Sequence, residues 1–186
     1  MPKINSKGLI ALQSKNTGKL VTSALFAAFV TVSTIILVIP LPGSGFANLG
    51  DCMVIMAGCL LGPIWGAAAA AIGASLADMS LGYMVYMPAT FVIKGIMAAL
   101  AFYVLKITEK MLPANKFLSI SLSALAAESV MVMGYFIFEC FLLGRNVAIA
   151  DIPGNAIQGA VGIVASVILL RVILSNDRLK AIFSKD

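Results

Sequence analysis

Long apolar runs separated by short polar gaps dominate the chain. Four of these runs are each about 20 residues or longer, which is the length that a membrane-spanning helix needs. They cover residues 20–40, 86–105, 117–143 and 153–174. The first run is longer than the apolar core of a signal peptide, and no Ala-x-Ala cleavage pattern follows it, so we expect a retained first helix.

A fifth apolar stretch, residues 51–77, is interrupted by Gly62-Pro63. Proline in a helix interior costs about 3 kcal/mol or more, so one straight helix is disfavoured. The stretch instead predicts a hairpin that enters the membrane and returns. Each arm has about 12 to 15 residues, or about 18 to 22 Å of helix, against a hydrocarbon core of about 30 Å. We therefore predict an all-α integral membrane protein with six transmembrane helices, of which helices 2 and 3 are short.

The basic residues orient this bundle. Lys and Arg cluster before the first run, in the gap at 106–116 and after the last run. With a returning hairpin all three clusters lie on the cytoplasmic side, as the positive-inside rule requires. We predict one membrane domain over 1–186, with a cytoplasmic N-terminal segment at 1–19, the six-helix bundle at 20–174 and a cytoplasmic tail at 175–186. The predicted outer connections are 41–50, 78–85 and 144–152.

Composition narrows the possible functions. The chain is 61% hydrophobic and 11% charged, so it lacks the polar residues that cover a soluble enzyme or a nucleic-acid-binding domain. Its net charge of +5 comes without the basic, aromatic-interleaved patch that binds nucleic acid. Histidine is absent, and the three cysteines lie in apolar runs. We expect no catalytic residue, no metal and no cofactor, and no ATP hydrolysis by this chain, since GxxxxGK[ST] is missing.

Polar side chains inside the spans are the candidate functional residues, because such residues are costly in a bilayer and usually face a cavity or a partner. Tyr86, Thr90 and Lys94 are spaced by four and share one face of the fourth helix. Helical side chains lean toward the helix N-terminus, so Lys94 and Glu139 are expected to converge on a cavity in the outer half. The predicted substrate-binding residues are Asn48, Tyr86, Thr90, Lys94, Tyr135, Glu139, Asn155 and Gln158.

Structural roles compete for some of these positions. Lys94 and Glu139 could form a buried ion pair that only ties two helices together. Asp51 is expected to cap the following helix, because Asx residues favour N-caps, and Asn48 could both cap and contact a ligand. Glu128 lies deeper, and we expect it to pack against a helix or a partner.

Ala24 and Ala28 in the first helix have the small-xxx-small spacing that permits close helix contact. Spacing alone leaves two interpretations equally open. The pair could dock another membrane subunit, or it could pack inside this chain.

The block NLGDCMVIMAGCLLGPIWGAAAAAIGASLADMSLGYMVYMPATFVIKGIMA carries a family resemblance. An alanine-rich first helix precedes it and a polar start of the sixth helix follows it. This arrangement resembles the substrate-binding S components of energy-coupling-factor (ECF) transporters, over residues 20–174 and most specifically over 48–94. Within that family it looks most like the branch with riboflavin-type, hydroxymethylpyrimidine-type and pyridoxine-type members.

The resemblance implies a non-enzymatic subunit of the bacterial cell membrane that captures a small-molecule vitamin or precursor from outside. Such proteins deliver the ligand through a transmembrane coupling subunit and two cytoplasmic ATP-binding subunits. The family docks the coupling subunit through Ala-x-x-x-Ala on the first helix, which Ala24 and Ala28 match.

We expect a hydroxymethylpyrimidine-like or pyridoxine-like ligand, and riboflavin next. The single Trp, Trp65, lies in a short arm, so the outer half offers tyrosines and polar groups rather than a wide aromatic sandwich. The competing hypothesis is a self-sufficient, proton-coupled carrier that uses Glu128 and Glu139 as relay groups.

Overall fold

The structure, a computed structural model, describes residues 6–42 and 45–176, with side chains from residue 17 onward. This part of the chain forms six helices and one short β-hairpin. Five of the helices are long and apolar enough to cross a membrane, and α2 is shorter. The predicted six-helix membrane bundle is confirmed. In chain order the elements are α1 (Ser6–Ile36), β1 (Val38–Pro40), β2 (Phe46–Asn48), α2 (Gly50–Leu61), α3 (Pro63–Leu81), α4 (Met87–Met111), α5 (Lys116–Leu142) and α6 (Arg145–Ser175).

The break at Gly62-Pro63 separates α2 from α3, as predicted. Gly62 has a positive φ of 86°, which glycine adopts without steric cost. Pro63 begins α3, where its missing N–H would have had no helical acceptor. Helix α2 has 12 residues, within the expected length. Helix α3 has 19, because it continues through part of the predicted outer connection until Gly82 ends it in the left-handed conformation.

Helix α2 packs against α1, α3, α4 and α6, while the other helices contact one another in the series α1–α3–α4–α5–α6. Small residues bring these helices close together. A Cβ atom on Gly58 would overlap the Ala98 carbonyl of α4, and one on Gly66 would overlap the Ala57 carbonyl of α2. The apolar core around α2 includes Val30, Val54, Ile55, Met97, Met131 and Leu170. Because α2 contributes to so many interfaces, its position determines where the side chains of its first turn lie.

Two connections differ from the sequence prediction. The predicted outer connection at 41–50 includes a hairpin strand, because Val38, Ile39 and Pro40 pair antiparallel with Asn48, Ala47 and Phe46. The predicted connection at 144–152 was wrong, since α6 begins at Arg145 and contains Pro153. The polar outer end of a helix has the same composition as a loop, which explains the error. Helix α1 likewise begins at Ser6, within the predicted N-terminal segment, whereas most of the predicted tail lies outside the described residues.

At the opposite end of the bundle, the α2–α3 turn borders a cavity of about 650 Å³. Its lining includes Lys19, Trp65, Lys106 and Glu109.

Candidate functional site

A small polar cavity lies where the β-hairpin meets the outer ends of the helices. Its volume of about 20 Å³ is room for about one water molecule. Seven of the eight predicted binding residues line it: Asn48, Tyr86, Thr90, Lys94, Tyr135, Glu139 and Asn155. The structure therefore brings together side chains from β2, α4, α5 and α6 that are up to about a hundred residues apart in the chain.

Lys94 forms a buried ion pair with Asp51, not with Glu139. Asp51 is 0% exposed and Lys94 is 3% exposed. Both Lys94 and Glu139 line the cavity, but α2 lies beside α4 and places Asp51 next to the Lys94 ammonium. The predicted capping role of Asp51 was also wrong, because the N-cap position of α2 is Leu49 and Asp51 lies within the helix.

Gln158 extends this pair toward the hairpin. Its Nε2 donates to Asp51 Oδ2 at 2.6 Å, and its Oε1 accepts from the Asn48 backbone N–H at 2.9 Å. Asn48 Oδ1 in turn accepts from Gly50 N at 2.7 Å, at the start of α2. Gln158 is thus a positioning residue behind the cavity rather than part of its lining. Asn48 both lines the cavity and ties the hairpin to α2.

The α4–α5 side of the cavity carries a second set of contacts. The Tyr86 hydroxyl donates to Glu139 Oε1 at 3.5 Å, and the Thr90 and Tyr135 hydroxyls are 3.0 Å apart. Lys94 Nζ lies 5.4 Å from the centroid of the Tyr135 ring, a distance suited to a cation–π contact. This wall combines flat ring faces with hydroxyl and carboxylate groups.

Asp78 is a cavity residue that the sequence analysis did not propose. It was expected to shape an outer loop, but it lies on α3 and is 4% exposed. Within residues 17–42 and 45–176, Asp78 Oδ2 and Glu139 Oε2 have no hydrogen-bond partner. Sequence reasoning missed Asp78 because its role depends on α3 continuing past residue 77, where the predicted connection begins.

Ala24 and Ala28 lie on an exposed face of α1. The packing of α1 against α3 uses other residues: Thr31 Oγ1 donates to the Gly73 carbonyl at 2.8 Å, and a Cβ on Gly73 would overlap the Ala27 carbonyl. The face that carries Ala24 and Ala28 is therefore available to a partner.

Glu128 does not line the cavity, but it lies between α5 and α6 close to Asp51, since a Cβ on Gly162 would contact both side chains. It is 3% exposed and borders a groove of about 470 Å³ that also includes Leu125, Phe136 and Ala160. Gly159 and Gly162 make space for its carboxylate, because a Cβ on either residue would contact Glu128. The expected packing role thus agrees with its position. No group of His, Cys, Asp and Glu in the described residues could hold a metal ion.

Fold and cavity together define a membrane-embedded bundle with a small polar cavity near one face. The sequence matches the family described as "ECF-type riboflavin transporter, S component" over residues 14–175. The chain belongs to this family of multi-pass membrane proteins, and it is accordingly an S component of a vitamin transporter. S components partner in general with a membrane coupling subunit and ATPases, and the family is a transport component rather than an enzyme.

Individual proteins are similar to this chain in sequence or in fold. An uncharacterized protein from Pyrococcus woesei is 33% identical over 136 residues, which cover 73% of this chain and 87% of the relative. The S component of a bacterial ECF transporter superposes with a TM-score of 0.66 at 22% identity, over 86% of this chain and 97% of the other. A biotin S component gives a TM-score of 0.63 at 15% identity, over 91% and 97%. At these identities the two structures show the shared fold alone.

Proposed function

We propose that this chain is the substrate-capturing subunit of an ATP-driven ECF importer. It binds a small vitamin or precursor in the outer cavity, and a coupling subunit with two ATP-binding subunits drives its delivery. The observation that carries the proposal is the cavity itself. In a family of transport components, polar side chains from β2 and from all six helices converge on one buried space at the outer ends of the helices.

The proposed ligand is a small hydroxylated pyrimidine or pyridine. The rings of Tyr86 and Tyr135 offer faces for a flat heterocycle, and Thr90, Asn155 and Glu139 offer hydrogen-bonding groups for ring nitrogens and hydroxyls. Riboflavin is the second candidate, because the family description names it.

Binding requires the hairpin to move, because the cavity of about 20 Å³ is smaller than either ligand. Gly45 is packed over the Tyr86 hydroxyl and Glu139, where even a Cβ atom would be 3.5 Å from each side chain. Displacing Gly45 and Phe46 outward would enlarge the cavity without disturbing the Lys94–Asp51 pair. A one-ring ligand needs a smaller displacement than the three-ring flavin does.

The identity of the ligand can be tested directly. Mass spectrometry of the small molecules retained by the purified protein should find a hydroxylated pyrimidine or pyridine. Finding riboflavin instead would replace the first candidate with the second. Finding no vitamin, together with no binding of these compounds in titrations, would contradict the proposed capture function.

Ala24 and Ala28 are the proposed docking residues for the coupling subunit. Ala28→Trp should abolish uptake in cells that also express the coupling subunit and the ATPases, while ligand binding by the purified protein stays unchanged. Ala160→Trp is the matched control, because Ala160 is an exposed alanine in the α5–α6 groove. Uptake that survives Ala28→Trp and Ala24→Trp would contradict the docking assignment.

The proton-coupled carrier makes the opposite prediction about partners. Cells that express this chain alone would then accumulate the ligand against its gradient. We expect no such accumulation.

A further inference from the structure

Acidic side chains outnumber basic ones around the cavity. Asp51, Asp78 and Glu139 face it, whereas Lys94 is the one cation among its described lining residues. Lys94 forms an ion pair with Asp51, which also accepts a hydrogen bond from Gln158. Neither Asp78 nor Glu139 forms an ion pair with any residue whose side chain the structure describes. If all of these groups are ionised, the cavity carries a surplus of two negative charges.

The two unpaired acids approach the cavity from different helices. Asp78 lies on α3 and Glu139 on α5, on either side of α4, which supplies Thr90 and has Tyr86 at its N-cap. Asp78 is 4% exposed and Glu139 is 1% exposed. Each retains one oxygen without a hydrogen-bond partner among residues 17–42 and 45–176. Both unsatisfied atoms belong to side chains that line the same space.

Buried acceptors of this kind favour a particular ligand chemistry. A buried polar group without a partner is destabilising, and the cost is larger for a charged group. A ligand that carries a protonated amine supplies both the donors and the opposite charge. An anionic ligand would instead add to the negative surplus, and Lys94 is not available to offset it.

We infer that the cavity takes its ligand as a cation that donates hydrogen bonds to Asp78 and Glu139, such as an amine-bearing heterocycle. The inference rests on the proposed function, because it takes this cavity to be the ligand site. It goes further by assigning the ligand a charge and by giving the two acids the role of selecting it.

Matched probes test the inference. Pyridoxamine and pyridoxine differ by an aminomethyl group in place of a hydroxymethyl group. A second pair consists of 4-amino-5-hydroxymethyl-2-methylpyrimidine and its 4-oxo analogue. Titration of the purified chain should show that the amino member of at least one pair binds at least tenfold more tightly, about 1.4 kcal/mol.

Asp78→Asn and Glu139→Gln should each reduce this preference by threefold or more, and the double variant should remove most of it. Glu139→Gln keeps an oxygen that can accept from Tyr86. Glu109→Gln is the control, because Glu109 is an acid at the opposite end of the bundle. It should leave the preference unchanged. The thermal unfolding midpoint of each variant shows whether it remains folded.

Two results would overturn the inference. One is that in both pairs the oxo or hydroxyl member binds as tightly as its amino partner. The other is a preference that survives both substitutions in folded protein. A riboflavin titration distinguishes failure of the charge inference from failure of the proposed capture function, since riboflavin is neutral at pH 7. If riboflavin alone binds, the charge inference fails and the capture function stands. If none of the probes binds and no vitamin is retained, both fail.

Discussion

Removing the Lys94 ammonium should destabilise the protein strongly. In Lys94→Met the aliphatic stem is retained, but Asp51, which is 0% exposed, loses its cation. Breaking a buried ion pair from one side costs about 3 to 5 kcal/mol, because the remaining charge stays buried without compensation. Gln158 still donates to Asp51 Oδ2 at 2.6 Å, which places the expected loss at the lower end of that range.

The loss can be measured as a shift of the thermal unfolding midpoint. For a chain of this size each kcal/mol corresponds to about 2 to 4 °C, so a loss near 3 kcal/mol in Lys94→Met should lower the midpoint by about 6 to 12 °C. Circular dichroism of the detergent-solubilised protein follows the unfolding of the helices. Because unfolding in detergent is often irreversible, all variants must be heated at one scan rate.

Two further variants make this prediction specific. Asp51→Asn combined with Lys94→Met should recover at least half of the lost stability, because Asp51→Asn removes the carboxylate charge that Lys94→Met leaves buried without a cation. Lys106→Met is the matched control, since Lys106 pairs with Glu109 at 3.9 Å through side chains that are 57% and 36% exposed. Exposed pairs contribute at most about 1 kcal/mol. A midpoint for Lys94→Met within 2 °C of the parent, or a double variant less stable than Lys94→Met, would refute the reasoning.

Two more predictions concern helix packing and the support of the hairpin. Gly58→Ala should lower the unfolding midpoint by the equivalent of about 1 to 3 kcal/mol, because the added Cβ would overlap the backbone of Ala98. Gly95→Ala should be neutral or stabilising, since the nearest atom to its added Cβ would be 3.6 Å away. Equal midpoints for the two variants would contradict the packing described here. Gln158→Leu should weaken ligand binding and lower stability together, since it leaves Asp51 Oδ2 and the Asn48 backbone N–H without Gln158 as a partner. A ligand titration and a thermal melt of the same sample check this prediction. An unchanged dissociation constant and an unchanged unfolding midpoint would contradict a positioning role.

The number of membrane spans could be predicted because apolar length is a local property of the sequence. The Gly62-Pro63 break and the clusters of basic residues added the returning hairpin and the orientation, again from local features. Helix ends were harder, because residues 144–152 have the composition of a loop although most of them are helical. Local composition does not distinguish a polar helix end from a connection.

The partner of Lys94 illustrates what lay beyond the sequence. Its depth and direction were derived from helix geometry, and Lys94 and Glu139 do line one cavity. Glu139 was the predicted alternative partner of Lys94, however, and the position of α2 beside α4 determines that Asp51 pairs with it instead. Asp78 was missed for a related reason, since its role depends on how far α3 continues. The first error concerns the packing of helices whose existence was correctly predicted, and the second concerns the end of α3.

The shortness of α2 also has an electrical consequence. Its 12 residues span about 18 Å, and its inner end adjoins the cavity of about 650 Å³ that includes Lys19 and Lys106. If water fills that cavity, the low-dielectric barrier along α2 is about 18 Å rather than about 30 Å thick, and the membrane potential falls over this shorter distance. That potential is worth about 2.3 kcal/mol per elementary charge for every 100 mV. A neutral Lys94–Asp51 pair experiences little net force in this field. A cation that leaves the outer cavity for the cytoplasm moves with an inside-negative potential, so the voltage itself would favour delivery.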